Sequence, residues 1–204
     1  VSKRPTWNNQ GRLFVLSAPS GCGKTTVLRH LMKGQKNAVR SISVTTRPQR
    51  PGERNGRDYW FWSEKRFLEA IRRKEWLEWA KVLGHRYGTL RRPVERAIQL
   101  GKDVFLSIDV QGARTLRRSG LPVTTIFLVP PSMKVLEERL RRRKTETPKE
   151  IAQRLELAKK EMAKQDCYDY VVVNDNLRKT VEALRAIVQA EKWRRQPSGV
   201  RCKQ

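Results

Sequence analysis

The run Ala18-Pro19-Ser20-Gly21-Cys22-Gly23-Lys24-Thr25-Thr26 follows an apolar segment at residues 13–16 and leads into a helical pattern at 26–32. An apolar strand handing over to a helix through two glycines reads as a phosphate-binding loop. Gly21 and Gly23 let the backbone turn tightly, so that successive N–H groups converge on phosphate oxygens, and the helix adds its positive end. Lys24 can then reach the β and γ phosphates, and the Thr25 hydroxyl can hold Mg²⁺. The usual pattern, G-x-x-x-x-G-K-[ST], begins with Gly where this chain has Ala18, which requires φ below zero at that position. A lysine opening a helix opposes the helix dipole, and a bound polyphosphate removes that penalty.

Around this loop the sequence predicts an α/β fold. Short β-branched runs at 104–108, 123–129 and 170–173 alternate with helical patterns at 132–143, 149–164 and 177–193, as a parallel sheet buried on both faces requires. Residues 41–101 are different in composition, rich in Arg, Gly, Trp and Tyr, and read as an insertion. Strands are expected there at 42–44, 59–62 and 76–82, and helices at 67–73 and 93–100.

Charge adds a second constraint. Lys and Arg number 45 against 20 acids, a formal charge of +25. Nucleotide phosphates account for a local basic cluster but not for the whole excess, so nucleic acid or another anionic surface stands beside a solvated basic surface as its explanation. Cys22, Cys167 and Cys202 form no metal-binding or disulfide spacing. No apolar run approaches membrane-spanning length and the first residues lack an apolar signal core, so a reduced, cytoplasmic setting is expected. A monomer and a homo-oligomer fit the sequence equally.

A further constellation gathers between 43 and 112. Ser43-Val44-Thr45-Thr46-Arg47-Pro48-Gln49-Arg50-Pro51-Gly52-Glu53 sets two guanidinium forks around a rigid turn, suited to gripping one phosphate. Tyr59, Glu78, Tyr87, Thr89 and Asp109 add polar groups to apolar surroundings. Each also has a plainer reading: alternation through Trp76-Leu77-Glu78-Trp79 fits a solvated strand face for Glu78, and Tyr59 and Tyr87 fit core or turn aromatics.

With these motifs the chain resembles the guanylate kinases, the ATP:GMP phosphotransferases, over residues 13–193. The resemblance rests on the loop, T-T-R-x-x-R-x-G-E from Thr45, G-x-D-Y from Gly56, Y-G-T from Tyr87, I-D-x-Q-G from Ile108 and V-N-D from Val173. It implies a three-layer P-loop core with a parallel sheet (1–41, 101–133 and 165–204), an inserted GMP-binding subdomain (42–100) and a helical lid (134–164). It implies ATP, Mg²⁺ and GMP or dGMP as ligands. The GMP phosphate ligands fall on Ser43, Arg47, Arg50, Tyr59 and Tyr87, the guanine readers on Glu78 and Thr89, and Asp109 beside the acceptor. The ATP positions fall on Ala18 through Thr26 and on Asn174, and the catalytic cations on Lys24, Arg47, Arg139, Arg143 and Arg154. Guanine presents N1–H and N2–H₂ donors beside the O6 acceptor, which one carboxylate and one hydroxyl can read together. Three departures stand out: Arg142-Arg143-Lys144 where the family commonly has Gly-Arg-Gly, Ser107 where a second acid is common, and Arg86 where Tyr or Phe usually precedes the Tyr-Gly pair. A catalytically lost scaffolding relative would lack the phosphate loop, and a kinase for another acceptor would not need Glu78 with Thr89.

Overall fold

The computed structural model describes residues 11–142 and 147–194. Its main sheet contains β1 (Leu13–Ser17), β2 (Ala38–Arg40), β7 (Asp103–Ser107), β8 (Val123–Val129) and β9 (Tyr170–Val173), all parallel, in the order β2-β7-β1-β8-β9. β1 is central and buried along its whole length, which explains its uninterrupted apolar run. Phe14 of β1 stacks on Phe105 of β7 with ring centroids 4.9 Å apart. Helices α1 (Lys24–Met32) and α7 (Leu177–Trp193) cover that face through Val27, Leu28, Leu31, Val181, Leu184 and Val188. Helices α3 (Arg91–Gln99) and α4 (Val110–Arg118) cover the other through Val94, Ala113 and Leu116.

A second sheet is built from β3 (Val44–Thr45), β4 (Trp60–Phe61), β5 (Trp76–Val82) and β6 (His85–Leu90) in the order β4-β3-β6-β5. Helix α2 (Glu64–Arg72), whose N-cap Ser63 accepts from the Arg66 N–H, packs Phe67 flat on Trp76 at 4.1 Å between centroids. The β5–β6 hairpin turns at Leu83 and Gly84, both with positive φ (48° and 86°), the two-residue turn whose twist matches paired strands. Helices α5 (Met133–Arg142) and α6 (Pro148–Met162) pack on each other, and α6 opens on a capping box between Thr147 and Glu150 with Pro148 in its first turn. No helix among the described residues is long and apolar enough to cross a membrane.

Strands at 76–82, 123–129 and 170–173 and the helix at 177–193 match expectation to the residue, and the α/β class with its parallel sheet is as read from the sequence. Strands β2 and β6 and helix α4 were not expected. β2 is three residues long and only half-buried, too short for periodicity to register. The α4 face buries Val110, Gly112, Ala113 and Leu116, so two of its four inward positions carry almost no hydrophobic signal. Residues 143–146, with Arg143 and Lys144 among them, and Cys202 lie outside the described residues.

The Phe14–Phe105 stack at the centre of the sheet gives the first test. Phe14→Ala should destabilise the fold by about 3–5 kcal/mol, whereas Val171→Ala, on the edge strand and 46% exposed, should cost under about 1 kcal/mol. Urea unfolding of both variants measures the difference.

Candidate active site

A cleft of about 500 Å³ opens between the carboxyl end of β1 and the second sheet. The phosphate loop forms its floor. Gly21 (φ 94°) and Gly23 (φ 89°) occupy left-handed conformations, and a Cβ on Gly21 would come within 2.7 Å of Leu140 of α5. Ala18 is not among the positive-φ residues, in line with the requirement set by its side chain. The first turn of α1 carries no acid and its N-cap Gly23 makes no side-chain cap, so its leading N–H groups are kept for an anion. Lys24 Nζ donates to the Ala18 carbonyl, folding the lysine back over the loop. Thr25 and Thr26 are exposed to the cleft. Cys22 turns the other way: it is fully buried, and burial pushes its thiol up to about 11 against the smaller opposing pull of Lys24 and Arg139. Its side chain fills space in the core beneath the loop, leaving only its backbone on the ligand side.

At the far end of the cleft, Glu78 of β5 and Thr89 of β6 pair across the hairpin. Both are buried, and Thr89 Oγ1 donates to Glu78 Oε1 at 2.6 Å. The solvated-face reading of Glu78 fails because a bulge between Trp76 and Glu78 breaks the alternation. Trp76, Leu77 and Glu78 are all buried in succession while Trp79 faces out. The other Glu78 oxygen lies against Gly112 in the first turn of α4, where an added Cβ would be only 2.3 Å away. A larger residue there would displace the carboxylate. Burial pushes the Glu78 carboxyl up to about 7, with Thr89 drawing it down and the Asp109 charge raising it further. Asp109 caps α4 by accepting from the Gly112 N–H at 2.8 Å, and its second oxygen is buried without a partner. Burial raises its carboxyl too, opposed by that bond and by Lys24.

Between the two ends stand the arginines. Arg47 donates to both Glu53 oxygens at 2.8 and 3.0 Å, and the same carboxylate accepts from the Arg50 N–H at 2.9 Å. Glu53 therefore fixes the turn and the guanidinium together. Arg47 also lies 5.5 Å from the Tyr59 ring centroid, and Tyr59 meets Tyr87 edge-on at 6.1 Å. Ser43 and Arg50 line the same wall. From α6, Arg154 donates to the Ser20 hydroxyl, and Glu161 also faces the cleft, its carboxyl raised by burial.

The geometry agrees with what comparison finds. The family model for guanylate kinase matches residues 10–191. The guanylate kinase of Thermotoga maritima is 47% identical over 183 residues, spanning 90% of this chain and 88% of that protein. That of Rhodopseudomonas palustris strain CGA009 is 46% identical over 92% of this chain and 86% of its own length. The chain belongs to the guanylate kinase family. The crystal structure of guanylate kinase from Anaplasma phagocytophilum superposes with a TM-score of 0.77 at 35% identity, covering 92% of this chain and 89% of that one.

Of the positions that the guanylate kinase resemblance assigned, the cleft brings together Ala18 to Thr26 except Cys22, with Ser43, Arg47, Arg50, Tyr59, Glu78, Tyr87, Asp109 and Arg154. Thr89 lies directly beneath, through its bond to Glu78. Arg139 and Asn174 sit outside the lining: Arg139 donates to the Asn174 carbonyl at 3.0 Å, and the Asn174 side chain donates to the Cys22 carbonyl at 2.6 Å. Glu53, Glu161 and His85 also line the cleft and were not singled out from the sequence. Glu53 was legible in principle, as the acid ending the T-T-R-x-x-R-x-G-E run. Glu161 lies in an ordinary-looking helix and gives no such signal.

The raised Glu78 carboxyl makes stability depend on pH. Between 4.5 and about 7 the folded chain holds a proton that the unfolded chain has released. Its stabilising contribution is complete below 4.5 and is lost as pH rises through about 7. Glu78→Gln should abolish that loss, which amounts to at most about 3 kcal/mol. Urea unfolding of both proteins on either side of this window, without ligand, reads the difference.

Proposed function

We propose that the chain transfers the γ-phosphoryl group of ATP to GMP, or to dGMP, giving ADP and GDP or dGDP for purine nucleotide recycling and GTP supply. The observation that carries this reading is the buried Glu78–Thr89 pair facing the phosphate loop along one cleft. An ionised Glu78 accepts from guanine N1–H and N2–H₂, and Thr89 donates to O6. Adenine would face the same carboxylate with an acceptor at N1, leaving a buried polar group unpaired at a cost of about 1–3 kcal/mol or more.

The remaining residues serve charge and position, which phosphoryl transfer needs more than a protein base. Ser43, Arg47, Arg50, Tyr59 and Tyr87 hold the GMP phosphate, with Arg47 held in turn by Glu53. The loop amides and Lys24 take the β and γ phosphates of ATP. Arg154, and with lid movement Arg139 and Arg143, neutralise charge that spreads over the transferring group. The exposed Thr25 hydroxyl and the unpartnered Asp109 oxygen are hard oxygen donors on the loop side and would hold Mg²⁺ together with substrate phosphates. When bound, that ion draws negative charge off the phosphate oxygens. We assign residues 42–100 to GMP binding, 134–164 to the lid and the rest to the core, and place the protein in the cytoplasm. The loop, Lys24 and Arg154 all argue against a scaffolding role without catalysis.

ADP formation measured with GMP, dGMP, AMP, CMP and UMP tests the assignment, and turnover confined to the guanine nucleotides is expected. Lys24→Ala should lower kcat by about 100-fold or more with the thermal melt unchanged; retention of a tenth of turnover would overturn the role. Glu78→Gln should damage GMP use far more than ATP binding. Because guanine needs the ionised carboxylate, GMP affinity should rise as pH rises toward the value near 7 and then level off. Calorimetric GMP titration of wild type and Glu78→Gln checks this, the variant being flat.

A further inference from the structure

The chain carries 45 Lys and Arg against 20 Asp and Glu, far more than two nucleotides need. The fold concentrates part of that excess. The strands of the main sheet are parallel, so helices returning the chain to the next strand end at the edge where strands begin, away from the phosphate loop. Helix α1 runs toward it and ends beside Lys33, whose carbonyl accepts from Arg185 two turns before the end of α7, and Lys36 follows next to Asn37, which bonds Gly101 and Asp103 at this edge. Helix α4 ends on Arg117 and Arg118. All four are exposed, with no carboxylate in ion-pair range among the described residues. Helix α7 ends at the same edge: the Lys192 carbonyl accepts from Arg12, just before β1, at 3.2 Å, and the Lys192 ammonium lies 3.4 Å from Asp103 at the start of β7. Asp103 and Glu191, acids of this edge, are already engaged, Glu191 by Thr124, Tyr170 and Arg194.

Helix dipoles favour a cation at each helix end and account for some of this charge. They do not account for Trp193, which stands 81% exposed between Lys192 and Arg194. A bare indole flanked by cations offers a flat π face beside phosphate-binding charge, the combination that holds an unpaired base and its backbone. A duplex keeps its base faces stacked and presents only edges and phosphates. Of the exposed large apolar side chains, Trp193 and Leu100 lie at this edge, isolated points rather than the continuous stripe an interfacial helix lays into a bilayer. We propose that this edge is a binding surface for single-stranded nucleic acid, with Trp193 stacking on a base and Arg117, Arg118, Arg194 and Lys36 contacting phosphates. It is separate from the kinase cleft, which opens at the opposite ends of the same strands.

The test titrates the chain with a labelled oligouridylate of about 12 nucleotides, with a duplex of the same length and with phosphatidylserine-rich vesicles, at salt from about 50 to 300 mM. The single strand should bind with log affinity falling linearly in log salt. Arg117→Ala with Arg118→Ala should make that slope shallower by about 1.4, two phosphates at about 0.7 each. Trp193→Ala should weaken single-strand binding by about fivefold or more and leave duplex binding unchanged, and Trp193→Phe should restore most of the loss. ADP formation from GMP should be unaffected in every variant, and saturating GMP with a non-hydrolysable ATP analogue should not displace the strand. Absence of binding at the lowest salt, displacement by the nucleotides, equal binding of duplex or vesicles, or an unchanged Trp193→Ala would each overturn the proposal.

Discussion

The amide of Asn174 holds the phosphate loop to the rest of the molecule. It donates to the Cys22 carbonyl at 2.6 Å, while its own carbonyl oxygen on the side chain accepts from Thr180 at 3.1 Å. Its backbone N–H bonds to Val129 of β8 and its backbone C=O accepts from Arg139. One buried residue therefore joins the loop, β8, α5 and α7. A loop with two left-handed glycines is inexpensive to deform, and its N–H groups bind phosphate well only if they are already aimed. The Asn174 contacts aim them from behind, and Leu136 and Leu140 close against Gly21 from the side. The residue that the resemblance assigns to ATP binding supports the loop from beneath.

The second end of the cleft depends on a different economy. Glu78 is a carboxylate taken out of water with one hydroxyl as its donor, an arrangement that disfavours the charged form. A base presenting two N–H donors supplies what the fold withholds. In the proposed reading the site is unsatisfied in proportion to its specificity: a ligand lacking those donors finds the carboxyl protonated or unpaired. Gly112 serves the same end by leaving the helix start open to the carboxylate.

Much of this could be read from the residues, and the exceptions have identifiable causes. The loop, β5, β8 and α7 announced themselves because burial or a long apolar stripe leaves a strong pattern, and β9 because its β-branched run stays apolar although one face of this edge strand is exposed. Strand β6 did not, since Gly88 sits in its middle; a Cβ there would be 2.7 Å from Trp76, so the glycine is imposed by the aromatic layer beneath. The burial of Glu78 was likewise hidden, because a bulge cannot be seen in the alternation it interrupts. Arg154 was legible as a basic position but not as a partner of Ser20, 134 residues away. Pairings of that range come from how the helices return to the sheet, which no local window contains.

The parallel sheet also sorts the charge of the molecule. Helices α1, α4 and α7 begin at the edge that carries the loop, and none has an acid in its first turn. Ordinary helix design would place Asp or Glu there to meet the dipole. At α1, which has no side-chain cap either, this leaves the leading N–H groups to an anion, whereas the start of α4 is already met by its N-cap Asp109 and by Glu78. The same helices carry basic residues in their last turns at the other, where the dipole stabilises them. The far edge is basic because cations are put in, whereas the loop edge sets its amides and cations beside the carboxylates of Glu78, Asp109 and Glu161. Only the loop edge is closed around a cavity that can select a small anion; the far edge carries its cations and Trp193 exposed on the outside of the fold.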